Sequence, residues 1–330
     1  MIIKNVVSFV LFVYILLTQS DRTVSESTEP SHECEPGEVT VDILRRLAKD
    51  ISPVLLNGKS KGEAGKIGVI GGSIEYTGAP YFAAMSALKS GADLVYVITT
   101  ENAAPVIKSY SPDLIVYPYL NFKDASKIST LLPKMDVVVI GPGLGREDDA
   151  VKLIEDIIKT CKTLGKPLVI DADGLYVVSK NPGIIKDYPK PGVIMTPNKR
   201  EANRLDEAVS KNNSYWGENI SILVKGEQDQ FYSSIPKYNW SSSEEGTGRR
   251  AAGQGDILSG SLGTVFGWAI KYDNYCDNYH HDRIAQSVAA YGSAKLTRLC
   301  NARAFKVYKR SMTASDMLEQ MYKVLQNVFN

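Results

Sequence analysis

The stretch Gly246 to Gly260, GTGRRAAGQGDILSG, sets small residues, two guanidinium groups and an acid directly ahead of an apolar run. A helix that starts through Gly253, Gln254, Gly255 and Asp256 leaves its first backbone N–H groups without partners inside the helix, and several of them can face one anion. That is a phosphate cradle. A carboxylate at the same place is repelled by phosphate unless it faces the other reactant, where a base that takes a proton from a hydroxyl belongs. Asp256 is therefore the candidate base. Asp is also a common helix cap, and a lone GxGD supports the two roles equally well. Arg249 and Arg250 tilt the balance, because two guanidinium groups beside an anion site suit a polyphosphate better than a cap requires.

Four other segments offer chemistry of weaker specificity. GPGLG, Gly141 to Gly145, follows the apolar run Val137 to Ile140, and glycines at the carboxyl end of a strand let a ligand approach the backbone. It is not the dinucleotide fingerprint, and a structural turn explains it as well. Asp171 and Asp173, in DADG after Leu168 to Ile170, could hold a hydrated Mg²⁺ or begin the next helix; the second role is slightly favoured. Asn198, closing TPN, could bond an amide-bearing substrate or cap the helix that Lys199, Arg200, Glu201 and Arg204 enter. Lys225, in the polar turn KGEQD, could meet a phosphate, although most such turns are solvated hairpins.

The elements that must position these residues follow from the apolar pattern. Ile67 to Ile70, Leu94 to Ile98, Leu114 to Tyr117, Val137 to Ile140, Leu168 to Ile170 and Val193 to Met195 are apolar at successive positions, which predicts strands buried on both faces. Amphipathic segments such as Tyr81 to Lys89, Asp148 to Thr163 and Lys199 to Val209 lie between them. That alternation predicts an α/β fold with a parallel sheet covered on both sides. Ile220 to Val224 and Gln230 to Ser234 read as a mixed edge, followed by helices over Asp256 to Ile270, Ile284 to Leu299 and Ala314 to Val328. An opening helix carries Ile43, Leu44, Leu47, Ala48 and Ile51 on one face, and Pro53 stops it.

The first residues stand apart. Lys4 precedes a run from Val6 to Leu17 that is apolar apart from Ser8, shorter than the about 20 residues a bilayer span needs, and polar residues follow. This layout predicts a signal peptide over residues 1–20, and a polar linker over 21–39 leads to one domain over 40–330. A signal anchor or organellar presequence is the alternative. The leader points to the endoplasmic reticulum or secretory pathway, with mitochondrial or cytosolic forms open, and the mature chain is expected to have no membrane span. No KDEL-like signal closes the chain. The next methionine after Met1 is Met85, so a product begun there would lose the start of the fold.

A net charge of +1 over 330 residues argues against a nucleic-acid binder that neutralises many phosphates, so an anionic ligand must be held by local geometry. Hydrophobic residues at 44% and charged residues at 23% suit a sizeable core. Cys34, Cys161, Cys276 and Cys300 are scattered and show no zinc-ligand spacing. Sequons at Asn212, Asn219 and Asn239 carry no weight by themselves.

Taken in order, GKIGVIGGS from Gly65, EYTGAPYFAA from Glu75, SPDLIV from Ser111, GPGLGR from Gly141, DADGL from Asp171, TPN from Thr196, KGEQD from Lys225 and RRAAGQGDILSGSLG from Arg249 resemble the NAD(P)H-hydrate dehydratase family, in its animal, ATP-using branch. The resemblance runs from Val41 to the C-terminus and implies a three-layer, ribokinase-like fold. It also implies a substrate, NAD(P)HX, whose nicotinamide ring has gained water at C6. Gly143, Gly145, Asn198, Lys199, Arg200, Glu201, Ala202, Asn203 and Arg204 would contact that substrate. Lys225, Gly226, Glu227, Gln228 and Asp229, with Gly246, Thr247, Gly248, Arg249, Arg250, Ala251, Ala252, Gly253, Gln254 and Gly255, would hold ATP, accompanied by Mg²⁺. Asp256 would face the substrate hydroxyl.

The chain departs from the animal pattern at Lys199, Arg200 and Ala202, where His, a small apolar residue and Phe are usual, and at Ala251 and Ala252, in place of Cys and Gly. The epimerase domain of bacterial fusions is missing, so a separate epimerase is expected to handle the R epimer. A homo-oligomer remains open. Two rivals stand beside this reading: a vitamin-precursor or sugar kinase of the same superfold, and a nucleotide-binding protein without catalysis.

Overall fold

The computed structural model describes residues 38–329 apart from 55, 59 and 213–215. The expected signal peptide and residues 21–37 of the expected linker lie outside the described residues. Val39, assigned to the end of that linker, belongs to the folded part: it is buried, and its N–H donates to the Lys237 carbonyl at 2.8 Å.

Nine strands make one sheet: β1 (Lys66–Ile70), β2 (Leu94–Ile98), β3 (Ile115–Tyr117), β4 (Val137–Ile140), β5 (Leu168–Ile170), β6 (Val193–Met195), β7 (Ile220–Val224), β8 (Asp229–Tyr232) and β9 (Trp240–Ser242). Their order is β3-β2-β1-β4-β5-β6-β7-β8-β9. The strands from β1 to β7 pair in parallel, and β8 and β9 add an antiparallel edge. All six predicted buried strands form within a residue of their expected bounds. The hairpin differs: its second strand begins at Asp229 rather than Gln230, and the short β9 has no counterpart in the apolar pattern.

The connecting helices are α1 (Val41–Asp50), α2 (Gly78–Lys89), α3 (Ala103–Tyr110), α4 (Ala125–Leu131), α5 (Asp148–Thr163), α6 (Ala172–Lys180), α7 (Lys199–Asn212), α8 (Gln254–Lys271), α9 (His281–Tyr308) and α10 (Ala314–Phe329). Helix α1 starts where the Thr40 hydroxyl accepts from the Ile43 N–H at 3.3 Å and buries Ile43, Leu44 and Ala48. Helix α5 buries Leu153, Ile154, Ile157, Ile158 and Cys161, one stripe at helical spacing. Side chains alternate across the pleat, so β4 sends Val137 and Val139 into one core and Val138 and Ile140 into the other. The result is the three-layer α/β fold.

Helix α8 is buried from Ile257 to Ala269, as its apolar composition on all sides demands. It can lie that deep because of Gly260, where an added Cβ would fall 1.9 Å from the Ala83 carbonyl oxygen of α2. We expect Gly260→Ala to cost about 1–3 kcal/mol of stability through overpacking, read as a lower urea midpoint with an unchanged slope.

The Asn219 sequon is used internally: its Nδ2 donates to the Tyr188 carbonyl at 2.7 Å, its Oδ1 accepts from Arg283, and Ser221 is fully buried. Among the described residues no helix is long and apolar enough to cross a membrane.

Candidate active site

The chain runs outward from β1 to β3 on one side and from β4 to β9 on the other, so the carboxyl ends of β1 and β4 flank a switch point, where open α/β sheets bind ligands. There the GPGLG turn is packed against its neighbours. Gly141 has φ +133° and an added Cβ would lie 1.7 Å from the Asp171 carbonyl oxygen, so no side chain fits. Gly143 lies against Tyr76, with only 2.8 Å between an added Cβ and the tyrosine Cβ. The Gly145 N–H donates to the Asp173 carboxylate at 3.1 Å, and Arg146 Nε donates to the same group at 2.9 Å. Asp173 thus pins the turn.

Asp171, at the end of β5, is 1% exposed. Its Oδ1 accepts from Lys225 Nζ at 2.6 Å, so the lysine of the KGEQD turn reaches back across the site. Burial disfavours the charged Lys225, yet Asp171, Glu201 and Asp256 together hold its pKa above the ordinary value. The first turn of α8 meets this pair: a Cβ on Gly255 would sit 3.2 Å from Lys225 Nζ and 3.9 Å from Asp171 Oδ2. Asp256 follows. Burial pushes its carboxyl up to about 7, the Asp171 carboxylate adds to the rise, and Lys225 opposes it. A carboxyl poised there exchanges a proton readily at neutral pH.

Asn198 makes a capping box with Glu201. Its Oδ1 accepts from the N–H groups of Arg200 at 2.9 Å and Glu201 at 3.1 Å, while a Glu201 carboxylate oxygen accepts from the Asn198 N–H at 2.8 Å. The side-chain oxygen is therefore engaged by α7, and the amide nitrogen is the part that can reach a substrate. Burial raises the Glu201 pKa. Lys199, Arg200 and Asn203 are exposed; Ala202 and Arg204 are half-buried.

A cavity of about 850 Å³ adjoins the first turn of α8. Of the residues expected around ATP, Lys225, Gly226, Glu227, Asp229, Gly246, Thr247, Gly248, Arg250, Ala251, Gln254 and Gly255 line it, as does Asn198. Gln228, Arg249, Ala252, Gly253 and Asp256 do not, nor do Gly143, Gly145 or the α7 residues from Lys199 to Arg204. Gly253, with φ +90°, turns the chain into α8 without a side-chain cap. The Arg249 Nε is buried without an acceptor among the described residues.

Two residues that sequence reasoning missed hold this cavity's walls. Arg298 of α9 donates to the Glu244 carbonyl at 2.8 Å, to the Glu227 carbonyl at 2.6 Å and to the Asp229 carboxylate at 3.3 Å. Asp229 also accepts from the Gly226 N–H at 3.0 Å, so this acid shapes the turn. Asn301, one turn on, accepts from the N–H and hydroxyl of Thr247, both at 2.8 Å, and donates to the Arg249 carbonyl at 3.2 Å. Arginine and asparagine three positions apart on a largely buried helix were the available signal.

The expected metal fits the protein side chains poorly. Among the described residues no group of three His, Cys, Asp or Glu side chains is placed to hold an ion. Asp171 is engaged by Lys225 and Asp173 by Arg146. Among the described residues there is no dedicated cation cage there.

Known proteins share both the sequence and this architecture. Residues 67–322 match the NAD(P)H-hydrate dehydratase family. An ATP-dependent (S)-NAD(P)H-hydrate dehydratase of Aedes aegypti is 41% identical over 91% of this chain and 93% of its own, and one of Drosophila melanogaster is 45% identical over 87% and 94%. Among solved structures, a ribokinase-like superfamily protein of Enterococcus faecalis superposes with a TM-score of 0.68 at 18% identity, covering 86% of this chain and 95% of its own. The ADP/ATP-dependent NAD(P)H-hydrate dehydratase of Bacillus subtilis, co-crystallised with ATP and Mg²⁺, does so at 0.60 and 20%, covering 88% and 98%. These last two establish a ribokinase-like fold. With its family match and its relatives above 40% identity, the chain belongs to the NAD(P)H-hydrate dehydratase family.

Proposed function

We propose that this protein is a lyase that restores NADH or NADPH from the S epimer of its hydrate, consuming ATP and releasing ADP and phosphate. The observation that carries the reading is the near-neutral Asp256 carboxyl beside a cavity sized for a nucleotide. The Asp256 carboxylate takes the proton of the C6 hydroxyl, and the freed oxygen attacks the γ-phosphorus as its bond to ADP breaks. Backbone N–H groups at the start of α8 stabilise the charge that develops. Phosphate then leaves C6 with the bonding pair, pushed by the N1 lone pair, and loss of a C5 proton restores the dihydropyridine. The protein need only build the ester, since the ring drives the elimination.

Mg²⁺ would accompany ATP and would offset part of the phosphate charge. A separate epimerase feeds the R epimer into the reaction, and the leader directs the folded domain to the endoplasmic reticulum or secretory pathway. The test is the near-ultraviolet absorbance of dihydronicotinamide, followed with S-NADHX, Mg²⁺ and ATP. An ATP-dependent rise supports the dehydratase; a stable phosphoester would assign a kinase instead.

The pH profile gives a second reading. Only ionised Asp256 acts as base, so kcat/KM rises with pH and levels off above about 7, falling about tenfold per unit on the acid side. Stability runs the other way. A folded pKa above the unfolded value near 4 favours the protonated fold, so this group's contribution is full below about 4 and is lost as pH rises through about 7. A profile flat from pH 5 to 9 contradicts the assignment of the base.

A further inference from the structure

Three cations converge on one ring beside the site. Arg146 lies 5.0 Å, Lys180 5.2 Å and Arg204 5.8 Å from the centre of the Tyr176 ring. They come from three different segments: the end of the GPGLGR turn, the last turn of α6 and the second turn of α7. Lys180 alone would need no comment, since a lysine complements the carboxyl end of its helix. Helix polarity gives no reason for Arg146 and Arg204 to join it. Asp173 pairs with Arg146, but among the described residues neither Lys180 nor Arg204 has a carboxylate within 4.0 Å. Asp173 on Arg146 and the longer-range pull of Glu201 on Arg204 offset part of this charge, and the excess of positive charge that is left would be relieved by an added anion. Arg146 is 51% exposed and Lys180 exposed, so the cluster is open to solvent.

Its place indicates which anion. Tyr176 stands five residues beyond Asp171 and Lys180 nine, which at the helical rise is roughly 7 to 13 Å along the helix from the Asp171–Lys225 pair that adjoins Asp256. That matches the span from a nicotinamide ring to the phosphoryl groups of its dinucleotide. The Gly145 N–H and Arg146 share Asp173, tying the cluster to the turn expected against the substrate. We propose that Arg146, Lys180 and Arg204, arrayed on Tyr176, form a subsite for a phosphoryl group of the hydrated dinucleotide. This rests on the dehydratase reading. Lys180 and Tyr176 thereby become substrate-positioning residues outside both segments that the family resemblance implicates.

The test uses the full chain with Lys180→Glu and Lys180→Arg. The KM values for S-NADHX, S-NADPHX and ATP are measured, together with calorimetric titration of NADPH. Lys180→Glu is expected to raise the dinucleotide KM about five- to tenfold, with kcat and the KM for ATP little changed, and Lys180→Arg to restore it. A rise shared by both substrates assigns the pyrophosphate; a rise confined to S-NADPHX assigns the 2′-phosphate. Values within twofold of the parent for both overturn the subsite while leaving the dehydratase intact. Should the parent protein turn over neither hydrate, the function fails by itself, and the titration still decides: weaker NADPH binding by Lys180→Glu upholds the subsite, unchanged binding overturns it.

Discussion

Asp256→Asn is expected to lower kcat about a thousandfold while the KM for ATP stays within a few-fold of its original value. The amide keeps the size of the carboxyl and its place in the first turn of α8, but it cannot accept the hydroxyl proton. ATP should still bind, because Asp256 is not among the residues lining the 850 Å³ cavity. The same change should make the protein more stable at neutral pH. The native carboxylate is disfavoured by burial and by Asp171, and an uncharged amide removes both penalties. A catalytic group held against its environment commonly trades stability for activity in this way. Initial rates and thermal unfolding on one preparation check both halves, and a variant keeping a tenth of the parent's rate would remove Asp256 from the base role.

Lys225→Met should be the more damaging change to the fold. It leaves Asp171, 1% exposed, without its cation, and breaking a buried pair from one side costs about 3–5 kcal/mol. Adding Asp171→Leu should recover part of that loss, because no charge is then stranded. Activity should fall as well. With the ammonium gone, the Asp256 carboxyl rises further and the acid limb of the pH profile moves to higher pH. Urea unfolding of the single and double variants reads the first effect. A single-variant loss under about 1 kcal/mol would mean the pair contributes little.

The two predictions draw on parts of the site that were unequally legible in the sequence. The strands could be read because β4, β5 and β6 are buried on both faces, β1, β2 and β3 are buried or half-buried at every position, and their residues are apolar in succession. The glycine-rich entry to α8 could be read because an apolar helix that begins without a cap leaves its N–H groups to a ligand. Asn198 left two roles open, and the spacing to Glu201 is what the capping box uses. The pairing of Asp171 with Lys225 was hidden, since 54 residues separate them and no local periodicity records the contact. Arg298 and Asn301 were hidden for a related reason. They lie on a helix whose apolar pattern describes its packing, and their partners, in the 226–229 turn and the 244–249 loop, become neighbours only once the sheet has formed. The short β9 carries too few residues for a period to show.

The walls of the nucleotide cavity have an order of arrival. Every strand precedes α9 and α10 in the chain, yet Arg298 and Asn301 of α9 fasten the turn and loop that line the cavity. Ala314, which opens α10, lies where a side chain on Gly253 would have to go. The same last helices also cover one face of the sheet, so the core on that face and the walls of the cavity are completed together. A chain cut short before α9 would carry Asp256 but neither a closed core nor a fastened ligand loop.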